Sequence, residues 1–321
     1  MAVRNEEEYE DLLSLWSDLE AGLGIVLGSP ASIQEFERRI WQYDRWMQAL
    51  LARDTDVGLY LLFQLASNSP VGYSASHALV CAVLCHLIAR ELGLPQGERD
   101  SLVHAAFTMN IAMTELQDQL ADQLEKPTAD QYDAIRAHPA KGGLILANIG
   151  ILDDRWLDVV SRHHQDDEEL GDLMQVAPSV RLARIVRTVD RYAAMISPRN
   201  TRAGRSATDS ARFVLGEGDG AERADEVGPA LVRVVGLCPP GTYVRLDNGD
   251  VAVVMRRSSK PNHPHVAIVL NHNGQMARQP RLHRTAQGAP QIHSSLAASA
   301  VRVRLNHHLI LQLGEYAAQQ A

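Results

Sequence analysis

The chain has 321 residues, of which 45% are hydrophobic and 22% are charged, and this composition excludes a disordered or collagen-like protein. Its formal net charge is −8, so no overall positive field is available to attract a nucleic-acid polymer. The first residues, MAVRNEEEYEDLL, are acidic where a signal peptide is basic and apolar, and no run reaches the ~18 apolar residues of a membrane span. We therefore expect a cytoplasmic protein with no membrane span.

Helical patterns fill the first two thirds of the chain. From Glu6 to about Leu65 the pattern is mostly helical, and Ser74 or Ser76 is predicted to cap a strongly apolar helix that runs to about Leu92. Further helices are predicted at about 98–112, 128–149, 154–165, 176–196, 207–215 and 222–236.

The pattern changes near residue 238. The segment TYVRLDNGDVAVVMRR alternates β-branched residues around Asp247-Asn248-Gly249, and Asn-Gly accepts the positive φ of a tight hairpin at little cost. HVAIVL and, more weakly, AVRVRL predict additional strands. The predicted fold class is therefore mainly α, with an N-terminal helical extension at 1–70, a helical domain at 71–237 and a small β-rich C-terminal appendage at 238–321.

Cysteine contributes little to the prediction of function. Cys81, Cys85 and Cys238 form no CxxC motif, and the first two lie one helical turn apart in the apolar run HALVCAVLCHLIA. Because a free cysteine behaves as a small apolar residue, buried thiols are favoured over a metal or redox role.

Four histidines in the helical part are candidates for chemistry. His77 lies inside the apolar helix, His138 lies in the segment AHPAKGG, and His163 and His164 close the segment LDVVSRHH. Each has an ordinary structural explanation, since a lone inward histidine is most often a hydrogen-bonded core residue and a terminal pair suits the helix dipole.

Asp190 is a stronger signal. Its i, i+4 row reads Leu182, Val186, Asp190, Ala194, which places a carboxylate in an apolar stripe. A buried carboxylate must be paired, protonated or bound to a metal. Together with inward-facing imidazoles it would form a set that suits a divalent transition metal such as Fe, Zn, Cu or Ni, although spacing alone does not establish that these residues converge.

The order of these segments resembles that of the HD-GYP family over about residues 60–200. SASHALVCAVLCHLIARELGL is followed by KPTADQYDAIRAHPAKGGLIL, VVSRHH and IVRTVDRYAAMISPRNTR, and PPGTYVRLDNGDVAVV is similar to the hairpin that often follows this domain. The resemblance implies an HD-domain helical bundle and metal-dependent hydrolysis of cyclic di-GMP. The positions that match the family's metal ligands are His77, His138, His163, His164 and Asp190.

The sequence also departs from the family pattern. In AAFTMNIAM, Met109 and Asn110 stand where the family has its His-Asp pair, and Met113 stands at the position of a lysine. Tyr73 replaces an acidic residue one turn before the first histidine, and HHQDDEELGDL lacks the Gly-Tyr-Pro signature.

Two arginines match the family's basic pair. Arg199 and Arg202, in PRNTR, occupy the positions that contact the phosphates of the dinucleotide in related proteins. A guanidinium group suits phosphate because its planar fork donates two hydrogen bonds at once. The alternative is that both arginines are merely solvated, or that Arg202 and Arg205 pair with nearby acids such as Asp209.

The replaced pair affects the expected number of metal ions. The resemblance implies that the missing aspartate would bridge adjacent ions, whereas Asn110 offers only a neutral amide. We therefore expect one divalent ion or none, of a type such as Fe, Mn, Zn or Ni. His138, His163 and His164 would be the ligands of one site, and His77 and Asp190 the remainder of another.

Three functions remain open from the sequence. The first, which we favour, is a catalytically impaired HD-GYP-type module that senses cyclic di-GMP or a related nucleotide or binds a signalling partner in bacteria. The second is a working phosphodiesterase with a reduced, single-metal site. The third is a purely structural interaction module. A protein partner is compatible with all three, and a homodimer is a further option.

Overall fold

The computed structural model describes residues 6–68, 71–165, 172–198, 200, 204–217, 226–260 and 262–319. The helices are α1 Glu6–Gly28, α2 Phe36–Arg53, α3 Thr55–Asn68, α4 Tyr73–Glu91, α5 Gln96–Thr108, α6 Thr114–Asp122, α7 Ala129–Asn148, α8 Asp154–Arg162, α9 Pro178–Ile196, α10 Ala207–Val214, α11 Val227–Val235 and α12 His307–Gln319. The strands are β1 Tyr243–Leu246, β2 Val251–Arg256, β3 His265–Leu270, β4 Met276–Arg284 and β5 Ile292–Leu296. The mainly α fold class is confirmed.

Helix α4 lies at the centre of the helical bundle. It packs against α1, α3, α5, α6, α9 and α11. By length and composition α4 would suffice to cross a membrane, but 83% of its apolar window is buried inside the protein. Its apolar character is therefore that of a core helix, whose burial contributes about 25 cal/mol per Å² of apolar surface.

The N-terminus of α4 is capped differently from the prediction. Gly72 is the N-cap residue, and neither Ser74 nor Ser76 acts as a cap through its own side chain. Instead Asp118 of α6 accepts hydrogen bonds from the backbone N–H of Ser74 at 2.7 Å and from its hydroxyl at 2.9 Å. A carboxylate suits this position because the free N–H groups of a helix start carry partial positive charge.

The strands form one antiparallel sheet of order β4-β3-β2-β1-β5. The predicted hairpin is confirmed, with Gly249 at a φ of 88° in the turn between β1 and β2. One face of the sheet, including Tyr243 and Val253, joins the helical core, and the opposite face, including Val244 and Val254, forms a smaller cluster.

Part of the C-terminal prediction is wrong. The segment AVRVRL forms no strand, and a helix, α12, follows it directly. Strands β4 and β5 were not predicted because both are mostly polar and half exposed, so they lack the apolar alternation of a half-buried strand. Helix α5 also ends at Thr108, four residues before the predicted end at 112.

The main core runs from α1 through the helical bundle to one face of the sheet and α12. Ion pairs join the sheet to the start of α3, with Arg256 2.7 Å from Asp54 and Arg257 2.6 Å from Asp56. The division at residues 70 and 237 stays a prediction.

Candidate metal centre

Helix α7 orients His138 through the proline that follows it. Pro139 lies inside the helix and has no N–H, so the carbonyl of Ile135 loses the donor that would normally come from position 139. Nδ1 of His138 lies 2.5 Å from that carbonyl oxygen. A hydrogen on Nδ1 satisfies the carbonyl, and the lone pair of Nε2 is then free to bind a metal.

The end of helix α8 orients His163 in the same way. The last carbonyls of a helix have no intrahelical partner, and Nδ1 of His163 lies 2.8 Å from the carbonyl oxygen of Val160. His163 is the C-cap residue of α8, which ends at Arg162 and not at the predicted residue 165. A hydrogen on Nδ1 of His163 satisfies this carbonyl and leaves the Nε2 lone pair free to bind a metal.

Two glycines bring α7 and α8 together. A Cβ atom at Gly142 would lie 3.1 Å from Cγ1 of Val160, and one at Gly143 would clash with the hydroxyl of Ser161. The segment AHPAKGG thus lets the two helices approach closely, one turn after His138.

The result is a compact group of three imidazoles, formed by His138, His163 and His164. Their ligand atoms all lie within 4.8 Å of one another. Nε2 of His138 is 3.1 Å from Nε2 of His163. His138 and His163 are buried, whereas the side chain of His164 is 39% exposed, so the group is open on one side.

All three imidazoles favour the neutral state. Burial lowers the pKa of His163 to about 3. Burial also lowers the pKa of His138 and of His164. With the ring hydrogens on both Nδ1 atoms, the Nε2 atoms of His138 and His163 present lone pairs 3.1 Å apart, which a cation bound to both would satisfy. Neutral imidazole is the form that binds transition metals, so the residues present fit a divalent ion.

Asp190 of α9 links this group to His77. Its Oδ1 atom is 2.8 Å from Nε2 of His77, and its Oδ2 atom is 3.9 Å from Nε2 of His164. Burial raises the pKa of Asp190, but the hydrogen bond from His77 and the nearby imidazoles outweigh this and hold it below its usual range. The carboxylate is therefore ionised and lies next to both His77 and the histidine group. The sequence analysis places the three histidines in one site and His77 with Asp190 in another.

His77, Cys81 and Asp190 form a second group of side chains that could bind a metal ion. The Sγ atom of Cys81 is 3.6 Å from Nε2 of His77, one turn earlier on α4. The ligand atoms of His77, Cys81 and Asp190 all lie within 4.8 Å of one another. The sequence prediction treated this cysteine only as a buried thiol.

Of the replaced positions, Met109 lies close to α7 and Tyr73 lies against His77. Met109 is the buried C-cap residue of α5, and its carbonyl oxygen would be 3.7 Å from a Cβ atom at Gly142. Asn110 follows in a half-buried turn that ends at Met113, the N-cap residue of α6. Tyr73 begins α4, and its ring stacks on that of His77 with centroids 5.4 Å apart.

The predicted phosphate contacts, Arg199 and Arg202, lie outside the described residues. Between them, Asn200 is hydrogen bonded to the end of α6, through its backbone N–H to Ala121 O at 2.9 Å and through its side chain to Asp122 O at 2.7 Å.

Two other arginines near the site were missed by the sequence prediction. The positive charges of Arg187 and Arg191 contribute to lowering the pKa of His164, after burial as the main cause. They flank Asp190 on α9 at i−3 and i+1. The sequence contains this signal, because residues three or four apart on a helix lie on one side and Arg187 is three residues before Asp190 and four before Arg191.

Comparison with known proteins finds similarity in sequence and in fold. No family model matches the sequence. A curated relative, the cyclic di-GMP phosphodiesterase PA4108 of Pseudomonas aeruginosa, is 28% identical over 195 residues, which span 59% of this chain and 45% of the relative. A solved structure of Bd1817, a HDG"Y"P protein from Bdellovibrio bacteriovorus, matches with a TM-score of 0.51 at 12% identity and covers 68% of this chain and 69% of that one.

The chain is similar in sequence to a cyclic di-GMP phosphodiesterase and in fold to an HD-GYP protein. The match to PA4108 spans less than half of that relative's length. Relative to the HD-GYP sequence pattern the chain is divergent, because Met109 and Asn110 stand where that pattern has its His-Asp pair and the Gly-Tyr-Pro signature is absent. It nevertheless keeps two groups of side chains that could hold metal ions.

Proposed function

We propose that this chain is a cyclic di-GMP-responsive HD-GYP module that binds the nucleotide but hydrolyses it poorly. The ligand class comes from the relative named a cyclic di-GMP phosphodiesterase. The observation that supports the proposal is the 3.1 Å distance between the Nε2 atoms of His138 and His163, two neutral imidazoles that would hold one metal ion, whereas Asn110 lacks the charge of the aspartate that it replaces.

The histidine group is proposed to hold one divalent ion, of a type such as Fe, Mn, Zn or Ni. When bound, such an ion offers an electrophilic position for a phosphate oxygen and lowers the pKa of a water ligand. The exposed side of the group, at His164, is where the phosphate would enter. Arg187 and Arg191 provide positive charge next to that entrance, and Arg199 and Arg202 are proposed as further phosphate contacts.

Hydrolysis is impaired in this proposal because the aspartate that would bridge two closely spaced ions is lost. Two-metal sites stabilise both the attacking and the leaving oxygen of a phosphoryl displacement. Met109 is a buried thioether and Asn110 a neutral amide, so neither replaces the carboxylate that would hold two cations close together. Each tenfold loss of rate corresponds to about 1.4 kcal/mol of barrier.

The test is calorimetry with cyclic di-GMP on the metal-loaded protein, followed by chromatography of the nucleotide. We expect binding at roughly tens of micromolar or tighter, or about 6 kcal/mol or more, with the nucleotide recovered intact. His163→Ala should abolish binding, and His265→Ala, which removes a buried histidine in the sheet, should not. Failure of the wild-type protein to bind would reject the proposal.

The second candidate is an active phosphodiesterase with a single ion. It is favoured by the open side of the histidine group at His164 and by the neutral imidazoles, which would hold a single ion able to activate water. Turnover that disappears in His163→Ala would establish it in place of the first. In either case we propose that the signal is passed on through a protein partner or a second copy of the chain.

A further inference from the structure

The group formed by His77, Cys81 and Asp190 combines three different metal-binding side chains in the buried part of the site. We propose that Cys81 is a metal ligand and that this group is a second cation site, suited to a thiolate-preferring ion such as Zn²⁺ or Co²⁺. The inference rests on the proposed function in one respect, since it assumes that this part of the HD-GYP site still binds metal.

The spacing of the ligand atoms fits a shared ion. His77 and Cys81 are at i and i+4 on α4, the spacing with which helices present two ligands to one metal. With metal–sulfur bonds of about 2.3 Å and metal–nitrogen bonds of about 2.0–2.1 Å, a tetrahedral ion holds sulfur and nitrogen about 3.6 Å apart. Sγ of Cys81 is 3.6 Å from Nε2 of His77.

The carboxylate completes three ligands. Oδ1 of Asp190 is 2.8 Å from Nε2 of His77, which is a hydrogen-bonding distance that would widen by about 0.6 Å around a tetrahedral ion. The side chain of Asp190 is 14% exposed, whereas His77 and Cys81 are almost fully buried. The proposed ion would therefore be more deeply buried than one bound to the open histidine group.

Charge also favours a divalent ion in this group. A thiolate and a carboxylate together carry a charge of −2 and would neutralise a buried dication, whereas a buried unneutralised charge is costly. Asn110 lacks the negative charge of the aspartate that stands there in the family pattern, and a Cys81 thiolate would supply one. Thiolate ligands select Zn²⁺ and similar ions over Mg²⁺ or Ca²⁺. The inference thus raises the expected number of ions from one to two per chain.

Cys85 provides a matched control. It is a fully buried free thiol one turn further along α4, with a similar helical environment, but it does not belong to the metal-binding group. If both cysteines only pack in the core, replacing either one should have the same effect on metal binding. If Cys81 is a ligand, only its replacement should weaken metal binding.

The experiment is a cobalt titration of the full-length chain, followed by absorbance. We expect two equivalents of Co²⁺ and a near-ultraviolet thiolate-to-cobalt charge-transfer band in the wild-type protein and in Cys85→Ser. In Cys81→Ser the band should vanish and one equivalent should be lost. In His163→Ala the band should remain. A wild-type protein without the band, or a band that survives in Cys81→Ser, would overturn the assignment.

A second measurement avoids the variant in case Cys81→Ser does not fold. X-ray absorption of the zinc-loaded wild-type protein should show one sulfur neighbour at about 2.3 Å, and the absence of sulfur would reject Cys81 as a ligand. Nucleotide binding without the charge-transfer band would defeat only this inference. The band without nucleotide binding would defeat only the proposed function.

Discussion

Nε2 of His138 lies 3.1 Å from Nε2 of His163, and the Nδ1 atoms of both rings are held by backbone carbonyls. Both lone pairs therefore point at the same small space. Two facing lone pairs repel each other in the metal-free protein, and a cation bound to both nitrogens removes the repulsion. The metal binding expected of this site follows from this contact.

Metal should stabilise the protein through this contact. A ligand present at 100 times its dissociation constant adds about 2.7 kcal/mol to the free energy of unfolding. We expect the melting temperature to rise on addition of Zn²⁺ or Mn²⁺ and to fall again with a chelator. His138→Ala should lose most of the rise, whereas His265→Ala should keep it. An equal rise in His138→Ala would show that the ion binds elsewhere.

Replacing the proline of α7 should weaken metal binding without removing a ligand. In Pro139→Ala the new N–H can donate to Ile135 O and compete with Nδ1 of His138 for it. Loss of a partner that orients a metal-binding histidine typically costs 10–100-fold in affinity, and we expect about tenfold here. The measurement is the dissociation constant for Zn²⁺, with Pro178→Ala at the start of α9 as the control. Unchanged affinity in Pro139→Ala would contradict this role.

The stability of the metal-free protein should fall as the pH falls below about 6.5. Burial lowers the pKa of His163 to about 3, so between these values the unfolded chain binds a proton that the folded chain does not. The loss is up to about 1.4 kcal/mol per pH unit for this residue. The lowered pKa values of His138 and His164 act in the same direction.

Urea unfolding at pH 7, 6 and 5 measures this effect. Asp190 contributes little in that window, because its lowered pKa makes its contribution disappear only below the ordinary carboxyl pKa near 4. His163→Gln should show a shallower decline than the wild-type protein. Equal slopes in the two proteins would mean that His163 is not the titrating group.

Restoring the family's pair should restore hydrolysis. In the double variant Met109→His/Asn110→Asp, the imidazole and the carboxylate would return directly after α5, where the carbonyl of Met109 lies close to Gly142 of α7. We expect an additional bound ion by elemental analysis and an increase of at least a hundredfold, or about 2.7 kcal/mol of barrier, in cyclic di-GMP turnover. Met109→Leu/Asn110→Gln is the matched control. No gain in metal or turnover would show that these substitutions are not the cause of impairment.

The sequence predicted the parts of the fold that have a clear hydrophobic period. Helix α4 and the hairpin at Gly249 were found because an apolar helix and an Asn-Gly turn are strong local signals. Strand β4 was missed because its polar residues are held by pairing with β3 and packing from α12, which are distant in sequence.

For the site, the sequence supplied the five candidate ligands but not their arrangement. The link between the two groups through Asp190 depends on side-chain positions that no spacing reveals. The effect of Pro139 on His138 was readable in principle, since a missing N–H at i leaves the carbonyl at i−4 free. The role proposed for Cys81 was likewise signalled by its i+4 spacing from His77.

Equilibrium dialysis of the metal-loaded protein against cyclic di-GMP, with chromatography of the nucleotide on both sides, tests the central claim most directly. The account predicts that intact cyclic di-GMP accumulates in the protein compartment and that this accumulation is lost in His163→Ala. Rapid appearance of the linear dinucleotide, or no accumulation at all, would contradict it.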